Sequence, residues 1–316
     1  MARGAFIAAI AAGIFAVACG GGDGEDVADS QDELEAGKIQ VSRDASGALV
    51  LATGRPARMS SCHDARTCVD ADGDGLVDAW EAIALDRLRP FVTFDEGEPL
   101  IGSKTDTFAS IGRVAPTGDN HVLVNILLLY TRDYGAQNPV CFSASAHDGD
   151  VEHVALDLEI VGAGKAIVRR FFTTGHEGTS DDQSRIWSSA DFHRLEFAHD
   201  GNGEPRWRVY SSRSKHATYA TKSLCENAHM SSLLHQFCLD EDCAPDDVDH
   251  PERYTILPKI ENGGEKNHPM ADDLGALGFA GEHAWGAERF CGGLHPSSRK
   301  DCPPPVGDKL AANPFM

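Results

Sequence analysis

Between residues 121 and 130 the chain reads HVLVNILLLY, apolar at both parities, which predicts a central strand covered on both faces. Residues 151–161, VEHVALDLEIV, alternate apolar with polar and predict a strand with one buried face. AIVRRFFTT (166–174), FHRLEFAH (192–199) and RWRVYSS (206–212) continue the strand pattern, separated by Gly-rich or polar turns. HDGNGEP (199–205) reads as a hairpin turn, although its Asp-Asn-Glu alternation also has the look of an ion site. Helix signals are few. The best is DAWEAIALDRLRPF, in which Trp80, Ile83, Ala84 and Leu88 fall near one face and Pro90 stops the run, predicting a helix over 79–89. Strands without alternating helices predict a mainly β chain with an antiparallel β-sandwich over 91–316. Beyond residue 225 or so, Cys, Gly and Pro accumulate, as expected of disulfide-pinned loops packed on a sheet core.

The predicted helix follows DADGDGLVDAWE, residues 70–81. Counting Asp70 as the first position, acids occupy positions 1, 3, 5, 9 and 12 and Gly75 the sixth, which is the spacing of an EF-hand calcium loop. Asp70, Asp72 and Asp74 would each give one oxygen and Leu76 its backbone carbonyl. Asp78 would bind directly or through water, and Glu81 would close the site with both oxygens. The repulsion among five carboxylates is what the cation relieves. No entering helix is legible in SSCHDARTCV, where a Cys62–Cys68 bridge can form instead, so residues 60–90 read as a half-hand. Such lone hands are typical of extracellular modules.

The N-terminus points to export. Residues 1–18, MARGAFIAAIAAGIFAVA, pair one early Arg with an apolar run too short for a membrane span, as in a secretory signal. Ala16-Val17-Ala18-Cys19 resembles the lipobox of bacterial lipoproteins, which would make Cys19 the lipidated N-terminus and residues 19–37 a flexible tether. The expected location is a lipid anchor on the bacterial cell envelope, with full secretion as the alternative. Of nine cysteines, eight remain after Cys19, an even number suited to an oxidising compartment. Cys62–Cys68, Cys238–Cys243 and Cys291–Cys302 are close enough to pair locally, which leaves Cys141–Cys225. The formal net charge of −21 excludes a general affinity for nucleic acid and argues against binding to anionic lipid by charge.

Residues 146–158, AHDGDVEHVALDL, carry an unusual phase. Val154, Leu156, Leu158 and Ile160 share one face of the strand, and Asp150 and Glu152 fall on that same apolar face. Carboxylates entering a core need a cationic partner. A metal ion with His147 as a further ligand would serve, and so would Arg169, Arg170 or Lys215.

Three blocks, VLVNILLLYTRDYG, HDGDVEHVALDL and YSSRSKHATYAT, together resemble the vacuolar protein sorting-associated protein 62-like domain. More distantly, the middle block resembles the Gly-His-Arg-His-Asp-Trp-Glu heptad of necrosis- and ethylene-inducing secreted proteins, matched by His147, Asp150 and Glu152. Val151 replaces the tryptophan of both families. Both resemblances imply β-sandwich architecture, and the second implies a divalent cation held by the heptad acids. The first also brings His216, within Ser214-Lys215-His216-Ala217, toward the 147–152 cluster. A second divalent cation at His147, Asp150, Glu152 and His216 is therefore expected.

The expectation for function is a calcium-binding lipoprotein whose β domain binds an extracellular ligand. The alternatives are a metal-dependent hydrolase and a membrane-active protein of the necrosis-inducing type. The chain has no GxSxG and no HExxH, and its eight remaining cysteines are better used as bridges, which weighs against an enzyme.

Overall fold

The computed structural model describes residues 39–63, 68–103, 106, 108–135, 147–175, 177, 182–228, 243–245, 260–262, 309 and 312–316, with side chains left out at 109, 147–149 and 261. Cys19, Cys141, Cys238, Cys291 and Cys302 lie outside the described residues, as do the signal, the lipobox and the whole tether.

The chain is mainly β. Strands β1 (Gln40–Arg43), β2 (Leu49–Ala52), β4 (Phe108–Pro116), β5 (His121–Asp133), β6 (His147–Gly162), β7 (Lys165–Thr173) and β12 (Glu261–Asn262) form one sheet in the order β1-β2-β7-β6-β5-β4-β12. Strand β8 (Arg185–Ser188) also pairs with β7. This sheet is antiparallel except where β12 joins β4. A smaller sheet holds β3 (Phe91–Phe94), β9 (Phe197–His199), β10 (Pro205–Ser211) and β11 (Thr218–Tyr219), and in it β3 and β10 run parallel. The expected antiparallel sandwich thus becomes a mixed arrangement of two sheets. They share one apolar core, in which Val124, Ile126, Leu128, Val154 and Leu156 cluster with Phe94, Trp207 and Val209.

The double parity of residues 121–130 has a definite cause. One side of β5 faces that core. On the other side Leu123 packs with Ala155 and Phe172 under Phe315, and the Asn125 side-chain amide donates to Ala312 O at 2.8 Å. Lys309 Nζ donates to Val151 O on β6, and Arg170 of β7 donates to Phe315 O. Residues near the C-terminus therefore cover all three central strands.

Helix α1 (Asp78–Leu88) ends just before Pro90 and buries Trp80, Glu81, Ala84, Leu85 and Leu88, close to the expected face. Asp78 and Glu81 in its first turn suit the positive end of the helix dipole. Leu85 lies directly over Gly112 of β4, where a Cβ would overlap it, so the glycine sets how closely α1 seats on the sheet. Two short α-helices follow, α2 (Pro99–Gly102) and α3 (Lys222–Glu226), and single 3-10 turns lie at Met59–Ser61 and Phe192–Arg194.

Two local expectations are corrected, and one hairpin was not anticipated. Residues 192–199 are a 3-10 turn (Phe192–Arg194) followed by β9 rather than one strand. The β1–β2 hairpin, which lies outside the segments expected to fold, extends the large sheet through β2 and β7. Cys225 bonds to Cys243, which overturns both the Cys141–Cys225 and the Cys238–Cys243 pairings. The physical reason is tertiary. Asp95 accepts from the Ala244 amide and pairs with Pro245, which carries Cys243 to within 5.2 Å (Cα–Cα) of Cys225 on α3. The Cys62–Cys68 bridge is present. HDGNGEP forms a turn, as expected, with Asp200 accepting the Asn202 and Glu204 amides and ion-paired to Arg206.

Candidate functional site

Two sets of sequence-derived residues come together differently. In the acidic loop, Gly73 and Gly75 adopt φ of +82° and +93°, a left-handed conformation that favours glycine and lets the chain fold back on its own aspartates. Asp70 accepts from the amides of Gly73 (2.7 Å), Asp74 (3.1 Å) and Gly75 (3.0 Å). Asp72 accepts from Asp74, Asp74 from Leu76, and Asp78 from Ala71. Oxygens of Asp70, Asp72 and Asp74 lie within 4.8 Å of one another, and this is the only such group of three metal-ligating side chains among the described residues. Burial raises the Asp74 carboxyl above its ordinary value, and the charges of Asp72 and Asp70 push it further the same way. That is the repulsion read from the sequence.

The exit of the loop is anchored to an earlier segment. Met59 N donates to Gly75 O and Val77 N to Ala57 O, which makes Arg58 and Leu76 an antiparallel bridge. In this pattern Leu76 turns its own N–H and carbonyl away from residues 57–59, and its N–H meets Asp74. Glu81, at the twelfth position, is fully withdrawn from solvent.

The second set is brought together only in part. Asp150 and Glu152 do face inward, each 7% exposed, as the phase of β6 requires. The cation meeting Asp150 is a side chain: His216 Nδ1 lies 3.0 Å from Asp150 Oδ2, and His216 Nε2 lies 3.5 Å from Glu98 Oε1. Glu152 instead accepts a hydrogen bond from the Thr174 hydroxyl. The side chain of His147 lies outside the described residues. Arg169 and Arg170, offered as alternatives, pair with Glu159 and Asp157, while Lys215 pairs with Asp133 at 2.9 Å.

His216 is fully buried and stacks on Tyr130 with ring centroids 3.8 Å apart and planes 2° from parallel. Burial alone would lower its pKa, but hydrogen bonds with Asp150 and Glu98 and their charges outweigh it and raise the value to about 10. Burial would raise Glu98, yet its bonds to His216 and to the Ser214 and Leu100 amides hold it below the ordinary value. The imidazole is thus an imidazolium between two carboxylates. Ser214 and His216 are the only non-glycine described residues with positive φ, at +66° and +56°. Ser214 N donating to Glu98, Tyr134 N donating to Ser214 O and His216 N donating to Ser212 O hold that backbone in place.

Sequence reading did not identify Glu98, Tyr130 or Thr174. Glu98 carried one local signal: it caps α2 by accepting from Leu100 N, with proline at the first helical position. Its encounter with His216, 118 residues further along the chain (216 − 98), is set by topology. The chain matches no family model, no curated protein and no solved structure.

Proposed function

We propose that this is an exported calcium-binding protein in which residues 70–81 hold one calcium ion and the β domain binds an extracellular ligand. The observation carrying the calcium reading is the convergence of Asp70, Asp72 and Asp74 oxygens within 4.8 Å of one another, in a loop whose closing position is Glu81. Asp78 and the Leu76 carbonyl complete the ligand set. The ion would be structural, holding the start of α1 against both sheets through Trp80, Leu85 and Leu88. The affinity expected of a single extracellular hand is weak, on the order of 10⁻⁴–10⁻³ M.

Export rests on the apolar N-terminal run and on the two disulfides, and the lipid anchor on Ala16-Val17-Ala18-Cys19. A binding role is favoured over hydrolysis because His216 is fully buried between two carboxylates. The resemblance to the vacuolar protein sorting-associated protein 62-like domain belongs to this reading as well. Two of the blocks that carry it, at 147–158 and 210–221, meet through Asp150 and His216. Calcium titration of the decalcified full chain, with magnesium as competitor, tests the proposal. Binding of one ion supports it, and the absence of binding in the millimolar range defeats it.

A further inference from the structure

We propose that the Cys62–Cys68 disulfide is the fastener of the calcium loop, so that calcium binding at residues 70–81 is a property of the oxidised protein and weakens when the bridge is reduced. This inference rests on the calcium reading above. An entering helix ordinarily holds the first ligand of such a loop, and among the described residues no α-helix precedes Asp70. Cys68, 4% exposed and two residues before Asp70, is instead bonded to Cys62 with a Cα–Cα distance of 6.3 Å.

The same short segment grips the loop a second time. Met59 N donates to Gly75 O at 3.0 Å and Val77 N to Ala57 O at 3.1 Å, so residues 57–62 hold the exit by hydrogen bonds and the entrance by a covalent bond. Asp78 N donating to Val69 O at 3.0 Å draws entrance and exit together. Asp70 needs this anchorage most, because its carboxylate gathers the Gly73, Asp74 and Gly75 amides and so fixes the turn that presents Asp72 and Asp74. The oxidised loop is therefore organised before the ion arrives.

A dithiol reductant would open the bridge by two successive exchanges. Cys62 and Cys68 gain two electrons and two protons, and the reductant leaves as its own disulfide. Binding would then have to order the loop entrance as well as neutralise the aspartates, which weakens it. Linkage makes the effect reciprocal: calcium must protect this bridge from reduction by the same factor by which the bridge strengthens calcium binding. A chain in a reducing compartment would hold calcium poorly, and one in an oxidising compartment would load it.

The test compares calcium titration of the decalcified wild-type chain with that of a Cys62→Ser/Cys68→Ser variant, which leaves Cys225–Cys243 intact. A loss of roughly tenfold or more in affinity is expected, a fraction of the loop-closure entropy that a short bridge removes. Equal affinities overturn the inference while leaving the calcium reading standing. No binding by the wild type overturns the calcium reading and this inference with it. Should the variant fail to fold, wild-type protein in glutathione redox buffers keeps the question decidable. Mass spectrometry of Cys62 and Cys68 should show a thiol–disulfide equilibrium shifted toward the disulfide by calcium, and identical equilibria with and without calcium would overturn the fastener.

Discussion

His216 Nδ1 meets Asp150 Oδ2 at 3.0 Å, across 66 residues of sequence, and this contact joins β6 to the loop that follows β10. A buried ion pair adds little over a well-packed apolar substitute, but removing one partner strands the other charge. In Asp150→Asn the imidazole keeps Glu98, so the variant should destabilise the protein in denaturant unfolding by less than the about 3–5 kcal/mol of a fully stranded charge. In an Asp74→Ala background the loss should be the same with and without chelator. A chelator-dependent loss would instead place a metal ion at Asp150.

The same pair predicts an alkaline limit. His216 has an ordinary pKa of 6.5 and a folded value of about 10, so its contribution is complete below pH 6.5 and is lost as pH rises through 10. Glu98, held below its ordinary 4.5, contributes above that value and is lost as pH falls through its folded value. Thermal melts should therefore decline between pH 7 and about 10, and His216→Gln should flatten that decline. An unchanged alkaline slope in the variant would exclude His216 as its source.

Much of this cluster was legible and part was not. Period-two reading put Asp150 and Glu152 inward because β6 pairs with β5 in unbroken register from His121↔Glu159 to Tyr130↔Asp150. It also read 121–130 as covered on both sides without revealing that Phe315 and Ala312 provide the outer cover. Nor did the alternation reveal that His153, on the opposite face of β6, is fully buried as well, hydrogen-bonded to Asn125 and edge-on to Phe172. Glu98 was hidden for the same reason: a partner more than a hundred residues away leaves no local period. The acidic loop was readable because its acids lie within twelve consecutive residues.

The C-terminal disulfide shows where proximity in sequence misleads. Peptide mapping without reduction should recover Cys225 linked to Cys243, with no Cys238–Cys243 peptide. Cys243→Ser should cost about 2–4 kcal/mol and loosen the Ala244–Asp95 contact, detectable as faster proteolysis near residue 244.

Helix α1 depends on the absence of a side chain at residue 112. Gly112→Ala would drive a methyl into Leu85 and the Asn125 carbonyl, and should destabilise by about 1–3 kcal/mol in thermal unfolding. A neutral effect would mean that α1 can shift away from β4 at little cost.

The export reading fixes one terminus. Mass spectrometry of protein made in a bacterial host with lipoprotein processing should find a mature chain beginning at lipidated Cys19. Cleavage at any other residue would remove the anchor from the account.

Calcium occupancy is tested most directly by calorimetric titration of wild type and Glu81→Gln. Glu81 is fully buried and stands where both carboxylate oxygens would close on the ion. The wild type should bind one calcium, and the variant should lose the heat signal or bind at least about tenfold more weakly. Wild-type-like binding by Glu81→Gln would contradict the assignment of residues 70–81 as the calcium site.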